Sequence, residues 1–306
     1  MAHSWSSSGR LAHDLSIGGA VRRGPWAQVL LACLGIAACS APQPHRNASF
    51  VFHAGCDGPE AFDAAAEANA ASLDNLAIAP FGRTEQGWAV YAPRLQRDIG
   101  ARCPPDSPGF AARLARWQGA HGLKADGVVD AEDLLAAKND WQNARPFYGL
   151  RMRGFCPDPP REALAALPPD ETVDGESLVM RRSAAEALHR LLRAAWREAP
   201  ETARGPNRLA AFSGYRSPTY DAARCARDGD CNGLGRAACS PHRTGLAVDL
   251  VLGSAPGYAI DSSADANRLY QTRTAAYRWL LDNAGRFGFV NYAFEPWHWE
   301  WTGEAP

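Results

Sequence analysis

The chain has 306 residues, of which 46% are hydrophobic and 21% charged, with a formal net charge of -1. That length holds one large domain or two smaller ones, and the apolar share is enough for a buried core. A balance this close to neutral speaks against nucleic-acid binding driven by phosphate neutralisation.

The first predicted element is an address. Arg22 and Arg23 precede a short apolar run at residues 26–38 (WAQVLLACLGIAA), too short to span a bilayer comfortably. A basic flank, an apolar core and small residues at its end make a secretory signal. Ile36-Ala37-Ala38-Cys39 resembles the lipobox of bacterial lipoproteins. That resemblance implies cleavage before Cys39, a diacylglycerol on its thiol and, with Ser40 next rather than Asp, sorting to the outer membrane. An ordinary signal peptide cleaved near Ala38 stays open. A twin-arginine signal fits poorly because Gly24-Pro25 follows the arginines. The region before the apolar run is long, and Val21 is a candidate alternative start. Residues 41–47 (APQPHRN) have no periodicity and read as a tether.

A helix-compatible, alanine-rich stretch covers residues 61–76, and residues 87–91 read as a short strand or a helix entry. Leu95, Ile99, Phe110, Leu114 and Trp117 recur at helical spacing on either side of a Pro-rich break. Ser107 before Pro108 predicts a helix start. Trp117-Gln118, Gly122-Leu123 and Asp126-Gly127 then lead into a helix carrying Leu134 and Leu135. Over residues 85–140 this pattern resembles the peptidoglycan-binding-like domain, a small three-helix bundle. The resemblance implies a wall-binding module; a helical packing domain without binding of its own stays open beside it. His121 reads as a turn residue.

Residues 145–180 are loop-rich and read as a linker that wraps onto the following domain. Ser183-Ala184-Ala185-Glu186 reads as a capping box opening a helix with Leu188, Leu191, Leu192, Ala195 and Trp196 on one face. Residues 208–213 read as a short buried strand running into Gly214-Tyr215-Arg216-Ser217. Residues 245–250 read as a strand that puts Ala247 and Asp249 on one face. Residues 274–287 read as a helix and residues 288–292 as a strand.

Chemistry concentrates in two stretches, Ser240-Pro241-His242-Arg243-Thr244-Gly245-Leu246-Ala247-Val248-Asp249 and Glu295-Pro296-Trp297-His298. They supply two imidazoles and a carboxylate, enough for an open zinc site, and a further carboxylate three residues before the last imidazole. A catalytic zinc takes three protein ligands and a water, with a base nearby. Two unrelated buried histidines are the bland alternative. Ser213 and Ser217 offer no Ser-His-Asp arrangement.

The ordered set Ser-Gly-Tyr-Arg-Ser, Ser-x-His-x-x-Gly-x-Ala-x-Asp, an aromatic Gly-Phe segment and Glu-Pro-Trp-His resembles VanY-type D-alanyl-D-alanine carboxypeptidases over residues 175–303. These belong to a wider metallopeptidase group that includes lysostaphin, D-Ala-D-Ala dipeptidases and the hedgehog signalling domain. The resemblance implies Zn2+ held by His242, Asp249 and His298. It implies Glu295 as the general base, Arg216 as the cation that steadies the oxyanion, and Ser240, Tyr215 and Ser217 as substrate-binding residues. Glu300 is the runner-up for the base.

Eight cysteines fit an exported chain better than a cytosolic one. Setting aside Cys33 and the lipidated Cys39 leaves Cys56, Cys103, Cys156, Cys225, Cys231 and Cys239, an even set for three bridges whose pairing the sequence leaves open. One bridge is expected within residues 225–239, stiffening the lip beside His242. A zinc ribbon there is disfavoured because no Cys-x-x-Cys pair is present.

The expected fold class is α+β: a small antiparallel sheet carrying a zinc site with flanking helices, preceded by a small helical module. The expected organisation is a signal at 1–38, a tether at 39–60, a peptidoglycan-binding-like domain at 61–145, a linker at 146–174 and a zinc carboxypeptidase domain at 175–306. The expected activity removes the terminal D-alanine from peptidoglycan stem peptides, by a monomer lipid-anchored in the periplasm, with no nucleic-acid partner. A wall endopeptidase or an L,D-carboxypeptidase on the same zinc core is the rival within the class. A non-catalytic wall-binding lipoprotein is the rival outside it.

Overall fold

Two short strands decide where the chemistry sits. In the computed structural model, which describes residues 56–229, 231 and 239–303, β6 (Ala247–Leu250) and β8 (His298–Trp301) pair antiparallel at the centre of a four-stranded sheet. The order is β5-β6-β8-β7, with β5 at Ala211–Ser213 and β7 at Phe289–Asn291. The register sets Asp249 opposite His298, Val248 opposite Trp299 and Ala247 opposite Glu300. Strand side chains alternate between faces, so Ala247, Asp249, His298 and Glu300 share one face. Val248, Leu250, Trp299 and Trp301 point to the other and join the main core.

That core is closed by α6 (Arg182–Glu198) and α9 (Ala275–Asn283). α6 presents Leu188, Leu191, Leu192 and Ala195 to the sheet, as its period requires. The helix begins two residues earlier than expected: Arg181 is the N-cap and makes no side-chain cap, so Ser183 lies inside the first turn rather than capping it. The reason is β4 (Val179–Arg181), which pairs with β3 (Leu164–Ala166) and runs straight into the helix. Leu188 is fully buried. Leu188→Ala should cost about 2–5 kcal/mol of stability, read as a lowered midpoint in urea unfolding with the disulfides intact. An unchanged midpoint would contradict this packing.

A second core belongs to the helical region. α1 (Asp63–Ser72), α2 (Ala92–Asp98), α3 (Pro108–Ala120) and α4 (Ala131–Asn143) surround Trp88, Leu95, Phe110, Leu114, Leu134 and Trp141. Ser107 caps α3 by accepting from the Phe110 amide at 3.2 Å. Asp130 caps α4 in a capping box with Asp133. Residues 87–91 are a helix entry, following the antiparallel pair of short strands β1 (Ala77–Ile78) and β2 (Glu85–Gln86). Gln118 is structural: its side chain bonds Gly127, Val128 and Asp133. Gly127 has φ +78 and its missing Cβ would stand 2.6 Å from the Ala111 carbonyl oxygen, so only glycine fits. Leu135, by contrast, is exposed.

This second core also takes in Tyr292, Ala293 and Phe294 from the connection between β7 and β8. Residues 146–174 contain α5 (Pro146–Met152) and β3, where the sequence reads as loop. Two more helices, α7 (Pro218–Asp228) and α8 (Asp265–Thr272), flank the sheet's connections. The six described cysteines form three bridges, Cys56–Cys103, Cys156–Cys239 and Cys225–Cys231, and the last lies within the 225–239 stretch. Cys33, Cys39, the signal and the tether at 41–47 lie outside the described residues. No helix among the described residues is long and apolar enough to cross a membrane.

Candidate metal centre

Cross-strand pairing of Asp249 with His298 brings a carboxylate and an imidazole together on one face of the sheet. The third group arrives from a 3-10 turn, Pro241–Thr244, which presents His242. Gly245 ends that turn at φ 71, turning the chain into β6; the strand therefore begins at Ala247, later than the sequence suggests. His242, Asp249 and His298 are all buried, and their ligand atoms lie within 4.8 Å of one another. His242 Nε2 is 3.1 Å from Asp249 Oδ1 and 3.2 Å from His298 Nδ1, which is itself 2.9 Å from Asp249 Oδ1. Three donors this close can share one ion at about 2.0–2.2 Å each. Two imidazole nitrogens and one carboxylate oxygen are also a donor set of the open, three-ligand kind. The residues present fit a divalent metal.

Each ligand is held from behind. His242 Nδ1 donates to the Gly214 carbonyl at 2.6 Å, which leaves Nε2 free to ligate. The outer oxygen of Asp249, Oδ2, accepts from Arg216 Nη2 at 2.7 Å, and Arg216 also donates to Ser213 Oγ at 2.8 Å. His298 Nε2 faces Glu300 Oε1 at 3.4 Å.

Electrostatics follows from this packing. Burial and the Arg216 charge push His242 down to about 4. Burial also opposes a charge on His298, but the carboxylates of Asp249 and Glu300 outweigh it and raise the group to about 9. Burial would raise Asp249, yet His242, His298 and Arg216 hold it well below the usual carboxylate range. Glu300, also buried, is brought down to about 2 by Arg145 and His298.

The three ligands floor a cleft of about 200 Å³ that is also lined by Glu295, Arg216, Ser240 and Asp261. Glu295 is half-buried, and burial raises its pKa. Its turn is pinned by Asn291, whose Nδ2 donates to the carbonyls of Pro296 at 3.2 Å and His298 at 2.9 Å. Ser240 lines the cleft with its hydroxyl proton directed to Asp221 at 3.0 Å. The Cys156–Cys239 bridge fixes the lip next to it.

Two of the expected substrate-binding residues do not line this cleft. Tyr215 points its hydroxyl to Asp158 at 2.5 Å, and Ser217 caps α7 through the Tyr220 amide at 3.2 Å. Glu300 is no alternative base, because Arg145 and the Phe147 amide occupy its oxygens and it does not line the cleft. The cleft is also lined by Gln142, Arg145, Phe147, Tyr148, Arg151 and Met152, at the end of α4 and in α5. The residues that sequence reasoning missed are these, with Asn291. A buried asparagine next to an aromatic turn carries a weak sequence signal, and a distant helix carries none.

Residues 177–304 match the family model described as VanY: D-alanyl-D-alanine carboxypeptidase. No curated protein sequence matches the chain. Among solved structures, the chain is similar to the LdcB LD-carboxypeptidase, in a study of peptidoglycan recognition, at 27% identity and TM-score 0.35, covering 48% of this chain and 70% of that one. It is similar to a mutant of the vancomycin-resistance D,D-pentapeptidase VanY from a VanB-type cassette, in complex with Zn(II), at 22% identity and TM-score 0.29, covering 48% of this chain and 83% of that one. It is also similar to VanYB in complex with D-alanine-D-alanine, at 22% identity and TM-score 0.30, covering 49% and 83% of the two chains.

Proposed function

We propose that the chain is a zinc-dependent D,D-carboxypeptidase that removes the terminal D-alanine from peptidoglycan stem peptides. The observation that carries this reading is the convergence of three buried ligand atoms within 4.8 Å of one another, in a cleft that also holds Glu295 and Arg216. The VanY family-model match over residues 177–304 supports the substrate class.

His242, Asp249 and His298 would hold the ion. When bound, zinc supplies a Lewis acid that polarises a carbonyl and makes water reactive at neutral pH. Glu295 stands in the same cleft as the base: it takes the proton of the attacking water and returns it to the departing D-alanine amine. Its partly buried setting raises its pKa and so strengthens it as a base. Arg216 keeps a fixed positive charge on the cleft wall, where negative charge develops on the carbonyl oxygen. The proposal places the chain in the periplasm, lipid-anchored at Cys39 to the outer membrane, with residues 61–145 as a wall-binding module. The lipobox resemblance at residues 36–39 supports the anchor, and the Trp117–Gly127 pattern supports the module.

The test is D-alanine release from a pentapeptide stem, with and without a chelator. One D-alanine released per stem, lost with chelator and restored by Zn(II), is the expected result. Release only from a tetrapeptide stem would reassign the enzyme as an L,D-carboxypeptidase. Cleavage only of cross-linked wall would make it an endopeptidase. Wall binding without any hydrolysis would leave the binding lipoprotein.

A further inference from the structure

Part of the cleft lining comes from outside the matched family region, and one residue of it, Arg145, bonds a side chain next to a metal ligand. Arg145 is the N-cap residue of α5, directly after α4. Its side chain is buried. Its Nε donates to Glu300 Oε1 at 2.8 Å and its Nη2 to the same oxygen at 2.5 Å. Its Nη1 donates to Gln142 Oε1 at 2.6 Å, and its guanidinium carbon lies 3.9 Å from the centre of the Tyr292 ring. The Phe147 amide donates to the other Glu300 oxygen at 3.1 Å. Glu300, 2% exposed, is thus gripped on both oxygens and cannot swing.

What Glu300 faces is the third ligand. A neutral imidazole carries one proton, on one of its two nitrogens. His298 Nδ1 is the nitrogen turned to Asp249 Oδ1 and His242 Nε2. For that nitrogen to bind a metal, the proton must sit on Nε2, which is buried with no hydrogen-bond partner among the described residues at its present angle and lies 3.4 Å from Glu300 Oε1. A fixed carboxylate on that side favours the required tautomer and ring orientation. We propose that Arg145 and Glu300 are positioning residues of the metal centre: they hold His298 in the tautomer whose Nδ1 binds a divalent metal, so the end of the helical region completes the site. This rests on His242, Asp249 and His298 forming a metal centre.

The test is made on the whole chain. Zn(II) affinity is measured by competition with a chromophoric chelator, and the d–d absorption spectrum is recorded after Co(II) substitution. Arg145→Gln and Glu300→Gln should each weaken Zn(II) binding by about 10–100-fold and shift the cobalt bands. Arg145→Lys should recover part of the affinity, since it keeps the charge but not the two-pronged grip. Removing one partner of a buried ion pair can unfold a protein, whereas replacing both is often neutral. The double variant Arg145→Met with Glu300→Gln therefore keeps the question open to experiment, and it too should bind zinc more weakly. In the zinc-loaded wild type, 15N NMR should find the His298 proton on Nε2. Wild-type zinc affinity and an unchanged cobalt spectrum in any folded variant, or coordination through Nε2, would overturn the inference. A zinc-binding wild type that releases no D-alanine would overturn the functional reading alone.

Discussion

Glu295→Ala should keep Zn(II) and lose turnover, with kcat down by about 10²–10⁴-fold. The expectation follows from position. Glu295 lines the cleft floored by His242, Asp249 and His298, yet it is not one of the three groups whose ligand atoms cluster. Its backbone is held by the Tyr292 carbonyl at 2.9 Å, and its own carbonyl accepts from the His298 amide at 2.9 Å. Truncating the side chain therefore leaves the turn and the ligand it delivers in place. KM should move little, because a base acts in the transition state rather than on bound substrate. Single-turnover kinetics and metal analysis on the same sample check both halves. Normal kcat would remove Glu295 from the reaction, and loss of zinc would make it a ligand.

His298→Ala should abolish the metal centre, with a loss of Zn(II) affinity greater than the about 10–100-fold that follows removal of an outer-shell partner. His298 supplies one of three donors, and its loss also strands Glu300 and Arg145 beside an emptied space. A second readout is thermal. A ligand that binds only the folded state stabilises it by about 2.7 kcal/mol when present at 100 times its Kd. Zinc should raise the melting temperature of the wild type and leave that of His298→Ala unmoved. Dialysis against Zn(II) followed by metal analysis gives the same answer directly. Stoichiometric zinc in the variant would refute the ligand assignment.

Much of the candidate site is legible in the chain because side-chain alternation along a strand is local and periodic. Ala247-Val248-Asp249-Leu250 and His298-Trp299-Glu300-Trp301 each alternate between a chemical face and a core face. That period alone places Asp249 on the face opposite Val248 and Leu250. Helix starts at Ser107 and Thr274 are equally legible, because a hydroxyl bonds the amide three residues on. Errors fall where a distant contact overrides a local signal. Ser183 looks like a cap, but the β4 strand feeds the helix directly at Arg181. Tyr215 and Ser217 sit in the right motif, yet Asp158 and the α7 amide claim their side chains.

By itself the sequence determined the α+β class and the supply of cysteines for bridging, and the resemblance of its ordered motifs to a known family implied the ligand and base candidates; each depends on residue type and short-range order. Only the tertiary structure decided the rest. Pairing Cys156 with Cys239 spans a sequence separation of 83, and linking Arg145 to Glu300 spans 155. No periodicity reports which of many arginines will fill a pocket formed between a helix end and a strand. That choice is made by packing, where a buried carboxylate must find a cation and hydrogen-bond donors or stay in water.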